Sequence, residues 1–179
     1  MIYLSLDTNA ILDLCFRVYP EQTFPKLWEM LDDLVLTTTI KFCVCSSVLD
    51  ETQSKCLSFE FDETTLEDFL VRFKVNIIDR DEVGNNILSI RTKLLTYPFS
   101  ATSPHATKDE PDVDLIATAQ KYHTNGYVIT GEIGFIGHQW ETFNARRNQR
   151  IKIPDICALI GVQSSSWLQL FQRYNFTLD

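Results

Sequence analysis

Four short apolar runs, each close to an acidic residue, constrain this chain more than any other feature of its sequence. The pairs are Ile2–Leu6 with Asp7, Phe42–Cys45 with Glu51, Leu115–Ala119 with Asp112, and Tyr127–Thr130 with Glu132. Such runs are typical of buried parallel strands or of the first turns of packed helices. A carboxylate beside them is costly unless a positive charge compensates it. Four carboxylates at one sheet edge would offer the oxygen ligands that Mg²⁺ or Mn²⁺ prefers.

Helical patterns separate these runs, and the alternation predicts an α/β fold with a mainly parallel sheet. We predict strands at 2–6, 42–45, 75–78 and 127–130, with a short edge strand at 151–153. We predict helices at about 7–15, 24–36, 48–57, 62–72, 81–97, 112–124, 154–159 and 164–174. Ligands of such sheets bind outside the carboxyl ends of the strands. Asp7 and Glu132 fall at such strand ends, and Glu51 and Asp112 fall at helix starts, which can face the same edge.

The composition is that of an ordinary globular protein, and 179 residues suit one domain, 1–179. No apolar stretch is long enough to span a membrane, and the N-terminus lacks the basic region of a signal peptide. We therefore expect a cytoplasmic protein without membrane association. Five cysteines, an odd number, indicate free thiols, and no second Cys/His pair completes a zinc site with Cys43 and Cys45.

The net charge of −8 argues against a protein that coats nucleic acid, but it is compatible with a nuclease whose acids bind metal. The segment 144–152 nevertheless carries four cations and no acid: Arg146, Arg147, Arg150 and Lys152. This segment is either a solvated loop or an arm that contacts phosphates.

Three of these acids also have an ordinary structural explanation. Asp7 and Asp112 could be helix N-caps, and Glu51 could be an acid in a first helical turn. Only their combination favours a metal site. Asp114 competes with Asp112 as a ligand, and two positions on a helix differ by about 200°, so both are not expected to reach one ion.

These acids lie in motifs that resemble those of PIN-domain ribonucleases, in the order and spacing of that family. The motifs are Leu6–Asn9, Val48–Glu51, Asp112–Ala119 and Val128–Glu132. The segment Lys152–Cys157 resembles the tail of a toxin-like PIN branch related to the virulence-associated toxins.

The resemblance implies a single three-layer α/β/α PIN-like domain that cleaves RNA with Mg²⁺ or Mn²⁺. Asp7, Glu51 and Asp112 match the acidic triad. Asp112 is preferred to Asp114 because the family's acid lies three positions before the first aliphatic residue of this helix, here Leu115. Thr130 matches a Ser/Thr at the end of a strand, and Glu132 stands where many members carry Asp. Supporting hydrogen bonds to Asp7 are expected from Thr8 or Asn9. A small protein antitoxin and a homodimer are the partners that the resemblance implies.

Two other functions remain open. A catalytically inactive PIN fold could bind RNA or dock proteins, which the Glu132 variant and the pI of about 4.8 favour slightly. A flap-type DNA nuclease would use similar chemistry, but the chain is short and lacks a helical arch.

Overall fold

The computed structural model describes residues 1–96, 110–134 and 151–176, and these residues contain a five-stranded, all-parallel sheet. The strands are β1 (Ile2–Leu6), β2 (Ile40–Cys45), β3 (Asn76–Ile78), β4 (Gly126–Ile129) and β5 (Gln163–Ser165). Their spatial order is β3-β2-β1-β4-β5, with helices flanking the sheet. The predicted α/β fold with a parallel sheet is confirmed.

Eight α-helices are described in the same ranges. They are α1 (Thr8–Leu12), α2 (Pro25–Leu36), α3 (Ser46–Ser58), α4 (Glu63–Arg72), α5 (Gly84–Leu95), α6 (Pro111–Gln120), α7 (Ile153–Ile160) and α8 (Trp167–Arg173). A π-helical segment, Asp13–Arg17, continues α1, and 3-10 turns at Arg80–Val83 and His123–Asn125 precede α5 and β4. The helix α4 begins as predicted, since Asp62 accepts a hydrogen bond from the backbone N–H of Thr64.

The strand β1 lies at the centre of the sheet, between β2 and β4. Its last residue, Leu6, is in register with Ile129, the last residue of β4. The backbone N–H of Asp7 then donates to the carbonyl of Ile129 at 3.0 Å. This register brings Asp7 and Thr130, which directly follow the two strands, to the same edge of the sheet.

The two faces of the sheet are packed differently. On one face, Phe42 of β2 contacts the aromatic rings of Phe69, Phe73 and Trp167, which belong to α4, its C-terminus and α8. On the other face, Ser5 of β1 donates a hydrogen bond to the carbonyl of Leu115 in α6, at 2.8 Å. The side chains alternate between the faces along each strand, as a buried parallel strand requires.

The close packing of α6 on the sheet explains one glycine. A Cβ on Gly126, the first residue of β4, would lie only 1.8 Å from the backbone carbonyl oxygen of Ala119 in α6. Only glycine can occupy this position without moving the helix.

The structure corrects some predicted element boundaries. The edge strand predicted at 151–153 is wrong, because α7 already begins at Ile153. The fifth strand is instead β5, which was not predicted. The predicted helix at 81–97 starts with a 3-10 turn. The helix α3 starts at Ser46, two residues before its predicted start.

Arg146, Arg147 and Arg150 lie outside the described residues. Within the residues that the structure describes, no helix is long and apolar enough to cross a membrane.

Candidate acidic site

Asp7 is the centre of the candidate site. It occupies the N-cap position of α1, is only 5% exposed, and accepts a 2.9 Å hydrogen bond from Thr130 Oγ1. The pKa of Asp7 is raised from 3.8 to about 6, mainly by burial and also by the negative charges of Asp112 and Glu132; hydrogen bonds from Thr130 and the Asn9 backbone partly oppose this rise. The neighbouring carboxylates thus add to the effect of burial, which is the main cause of the raised pKa.

Glu132 lies beside Asp7 and is held by the start of α7. Its carboxylate accepts a 2.8 Å hydrogen bond from Lys152 Nζ and a 2.9 Å hydrogen bond from the backbone N–H of Ile153. Its own backbone N–H donates to Thr130 Oγ1 at 3.1 Å, so the threonine connects the two acids. The backbone N–H of Ile153, which has no partner within α7, therefore donates to the Glu132 carboxylate.

Glu51 of α3 is fixed from two sides. Thr8 Oγ1 donates to its carboxylate at 2.6 Å, and Lys55, one helical turn further on, forms an ion pair with it at 3.0 Å. A hydrogen bond to Asp7 was expected from Thr8 or Asn9. The Thr8 side chain instead connects Glu51 to the start of α1, the helix that Asp7 caps.

The two aspartates at the start of α6 have different surroundings. Asp112 is half-buried and lies in the first turn, where its charge acts on Asp7. The N-cap residue of α6 is Glu110, so Asp112 does not cap this helix. Asp114 is 1% exposed; it accepts a hydrogen bond from Ser47 Oγ at 2.7 Å and is paired with Arg80 Nε at 2.8 Å.

One acid near the site was not predicted. Asp13 is paired with Arg17 at 2.8 Å, and its Oδ2 lies 3.5 Å from the position that a Cβ on Gly131 would take. The Asp13–Arg17 spacing is that of a helical ion pair, which explains the contact but does not reveal that Gly131 is near. Only the tertiary fold brings this acid to the loop that carries Glu132.

The acids suit a hard divalent cation in chemistry, because carboxylate oxygens are its preferred ligands. Among the described residues, however, no three acidic, histidine or cysteine side chains are already arranged to hold a metal ion. Lys55 and Lys152 neutralise Glu51 and Glu132. Glu51 and Glu132 could therefore bind a cation only after these ion pairs rearrange.

A family model matches residues 3–178, and its description is "Domain of unknown function (DUF4411)". The chain belongs to the DUF4411 family. Its fold is similar to that in the crystal structure of VapBC2 from Rickettsia felis bound to a DNA fragment from their promoter, with a TM-score of 0.55. The two sequences are 19% identical over 93% of this chain and 99% of the other. No curated protein matches this chain significantly. The similarity shows that this DUF4411 chain has a PIN-like fold.

Proposed function

We propose that this protein is an endoribonuclease that uses Mg²⁺ or Mn²⁺, bound by Asp7, Asp112, Glu51 and Glu132. The observation that carries the proposal is the raised pKa of the buried Asp7 carboxyl beside Asp112 and Glu132. Buried acids that repel one another are costly without a compensating positive charge. Their position at the carboxyl edge of a parallel sheet, where ligands bind, therefore favours a site for a cation.

A bound cation would supply an activated water and would neutralise the charge that develops on the phosphate. The residues of the chain prepare this site. Thr130 holds the Asp7 carboxylate in one orientation, and Thr8 does the same for Glu51. Glu51 and Glu132 can contribute to a cation only after leaving Lys55 and Lys152, so metal binding competes with two ion pairs.

The substrate contact is assigned to Lys152 and to the three arginines that precede it in the sequence. Lys152 is 40% exposed at its side chain and lies against Glu132, so its ammonium group can also reach a phosphate at the edge of the site. Arg146, Arg147 and Arg150 would extend this contact. An open cleft is lined by Thr130, Glu132, Ser165 and Gln169, among others, and Lys152 contacts its lining residue Glu132.

This contact is tested by replacing two of the three arginines with Gln and measuring RNA binding at several salt concentrations. Each lost phosphate contact should reduce the log–log slope by about 0.7 for single-stranded RNA. An unchanged slope would assign the segment to solvation or to a protein partner.

The similarity to VapBC2 supports a role as the toxin of a toxin–antitoxin pair. We further propose that the protein acts in the cytoplasm as one PIN-like domain, 1–179. The partner would be a small protein antitoxin, and a homodimer would be the assembled form of the nuclease. Co-expression with the product of a small adjacent reading frame tests this part: the antitoxin should copurify and suppress cleavage, and a neighbour that does neither would refute the assignment.

Cleavage of an RNA pool by the purified protein, with Mn²⁺ or with EDTA, tests the enzyme itself. Asp7→Asn and Asp112→Asn should each lower cleavage by orders of magnitude, since both carboxylates lie where the cation would bind. Asp32→Asn is the matched control, because Asp32 pairs with Arg72 far from these acids and should leave cleavage unchanged. Wild-type protein that cleaves no RNA with Mn²⁺ would refute the enzyme assignment.

A second function has its own support. The ion pairs of Glu51 with Lys55 and of Glu132 with Lys152 are what a catalytically inactive module would retain, since they stabilise the acids without metal. Such a module would bind RNA or a protein with the same affinity in EDTA and in Mn²⁺. A nuclease should instead gain thermal stability from Mn²⁺.

A further inference from the structure

Asp114 is almost completely buried, and its carboxylate contacts other groups of the protein. Its side chain is 2% exposed and contacts Ser47 Oγ at 2.7 Å and Arg80 Nε at 2.8 Å. A buried carboxylate with a hydroxyl donor and a guanidinium partner is compensated in place. The residue that competes with Asp112 in the sequence is thus committed to contacts inside the protein.

These contacts join three separate segments of the chain. Ser47 lies in the first turn of α3, Arg80 begins the 3-10 turn before α5, and Asp114 lies in the first turns of α6. A second bond strengthens the junction, since the backbone N–H of Arg80 donates to Ser46 Oγ at 3.2 Å. The starts of α3 and α6 are therefore fixed to each other by side chains far apart in the sequence.

The two joined helices carry two of the candidate metal-binding acids. Glu51 is one helical turn after Ser47 in α3, and therefore lies on the same face. Asp112 is two positions before Asp114 in α6, about 200° around the helix, and therefore points away from the junction and toward Asp7. A rotation of α6 that released Asp114 would also turn Asp112 away from Asp7.

Building on the proposed function, we propose that Asp114 is a positioning residue whose contacts with Ser47 and Arg80 set the orientation of Asp112 and its distance from Glu51. A buried ion pair adds little net stability compared with apolar side chains of similar volume, so stability alone does not account for it. The hydrogen bond from Ser47 Oγ is directional, and together with the ion pair to Arg80 it fixes the position of the Asp114 carboxylate. Residues that orient metal ligands typically change metal affinity about 10- to 100-fold when they are replaced.

The experiment measures Mn²⁺ affinity by calorimetry and compares metal-free crystal structures. Asp114→Asn keeps the shape of the side chain and can still accept from Ser47, but it loses the charge that holds Arg80. We expect Mn²⁺ affinity to fall about tenfold. We also expect the Asp112 carboxylate to move by about 1 Å relative to Asp7, a displacement large enough to impair a catalytic geometry.

Two further variants keep the test decisive. Ser47→Ala removes one hydrogen bond without burying an unpaired charge, and it replaces Asp114→Asn in the test if that variant does not fold. We expect Ser47→Ala to lower Mn²⁺ affinity by a smaller factor than Asp114→Asn. Asp32→Asn removes the partner of another arginine, Arg72, and should lower stability without changing Mn²⁺ affinity or the position of Asp112.

The outcomes separate this inference from the proposed function. Unchanged Mn²⁺ affinity and an unmoved Asp112 in Asp114→Asn, with only a lower melting temperature, would overturn the positioning role. If wild-type protein binds no Mn²⁺, the proposed function fails, and the displacement of Asp112 between the metal-free structures alone decides whether Asp114 positions it.

Discussion

Removal of the Asp7 charge should stabilise the metal-free protein, although Asp7 is the centre of the candidate site. Asp7→Asn keeps the shape of the side chain and can still accept the hydrogen bond from Thr130. The fold raises the pKa of Asp7 from 3.8 to about 6, mainly by burial. One pKa unit corresponds to about 1.4 kcal/mol, so ionised Asp7 lowers the free energy of unfolding by up to about 3 kcal/mol.

The sign of this effect fixes its pH dependence. The folded protein holds the Asp7 proton more tightly than the unfolded chain does. The stability that protonated Asp7 contributes is therefore fully present below pH 3.8 and is lost as the pH rises through about 6. The advantage of Asp7→Asn over the wild type should therefore be absent at about pH 4 and complete above about pH 7. A gain of about 3 kcal/mol would raise the melting temperature by about 6–12 °C in a chain of this size.

The assay is urea and thermal unfolding in EDTA across this pH range, repeated with Mn²⁺. Mn²⁺ should stabilise the wild type by mass action and leave the stability of Asp7→Asn nearly unchanged. The greater stability of Asp7→Asn seen in EDTA should therefore become smaller or be reversed. Asp62→Asn is the control, because Asp62 is an exposed N-cap of α4 and asparagine caps as well as aspartate. If Asp7→Asn were less stable than the wild type at neutral pH in EDTA, the assignment of Asp7 as a strained buried carboxylate would be wrong.

Three further predictions concern the surroundings of the site. Gly126→Ala should prevent folding or lower the melting temperature severely, since its Cβ would overlap the carbonyl oxygen of Ala119; circular dichroism during heating tests this. Thr130→Val should lower the free energy of unfolding by about 1–3 kcal/mol in urea titrations, because a buried carboxylate loses a hydrogen bond; a neutral result would contradict the 2.9 Å contact. Lys152→Met should strengthen Mn²⁺ binding in calorimetry, because the ammonium group no longer competes for Glu132, whereas weaker binding would show that the ion pair helps to build the site.

The parts of the fold that could be predicted from the sequence depend on local pattern. Apolar runs separated by helical spacing were sufficient to predict β1, β2 and β4. The position of Asp7 directly after β1 was sufficient to predict that it lies at the carboxyl edge of the sheet. The strand β5 was missed because Gln163–Ser165 contains no β-branched or aromatic residue. It is a strand only because β4 offers an edge for pairing.

Tertiary contacts decide the rest of the site, and the sequence does not show them. Ile151-Lys152-Ile153 alternates like a strand, but the Asp155 side chain accepts from the backbone N–H of Lys152 and starts α7. Helical geometry did predict that Asp112 and Asp114 face different directions. That Asp114 would meet Arg80 could not be predicted, since no local pattern connects the two residues.

The hydrogen bond between Thr130 and Asp7 spans 123 positions of the chain, and this separation has a consequence for synthesis. The ribosome releases Asp7 long before Thr130, Glu132 and Lys152, and long-range parallel pairing is slow compared with helix formation. A nascent or truncated chain that ends before β4 contains Asp7 and Glu51 but cannot bring Glu132 beside them. The acidic site is therefore completed late, and fragments of the protein should lack it.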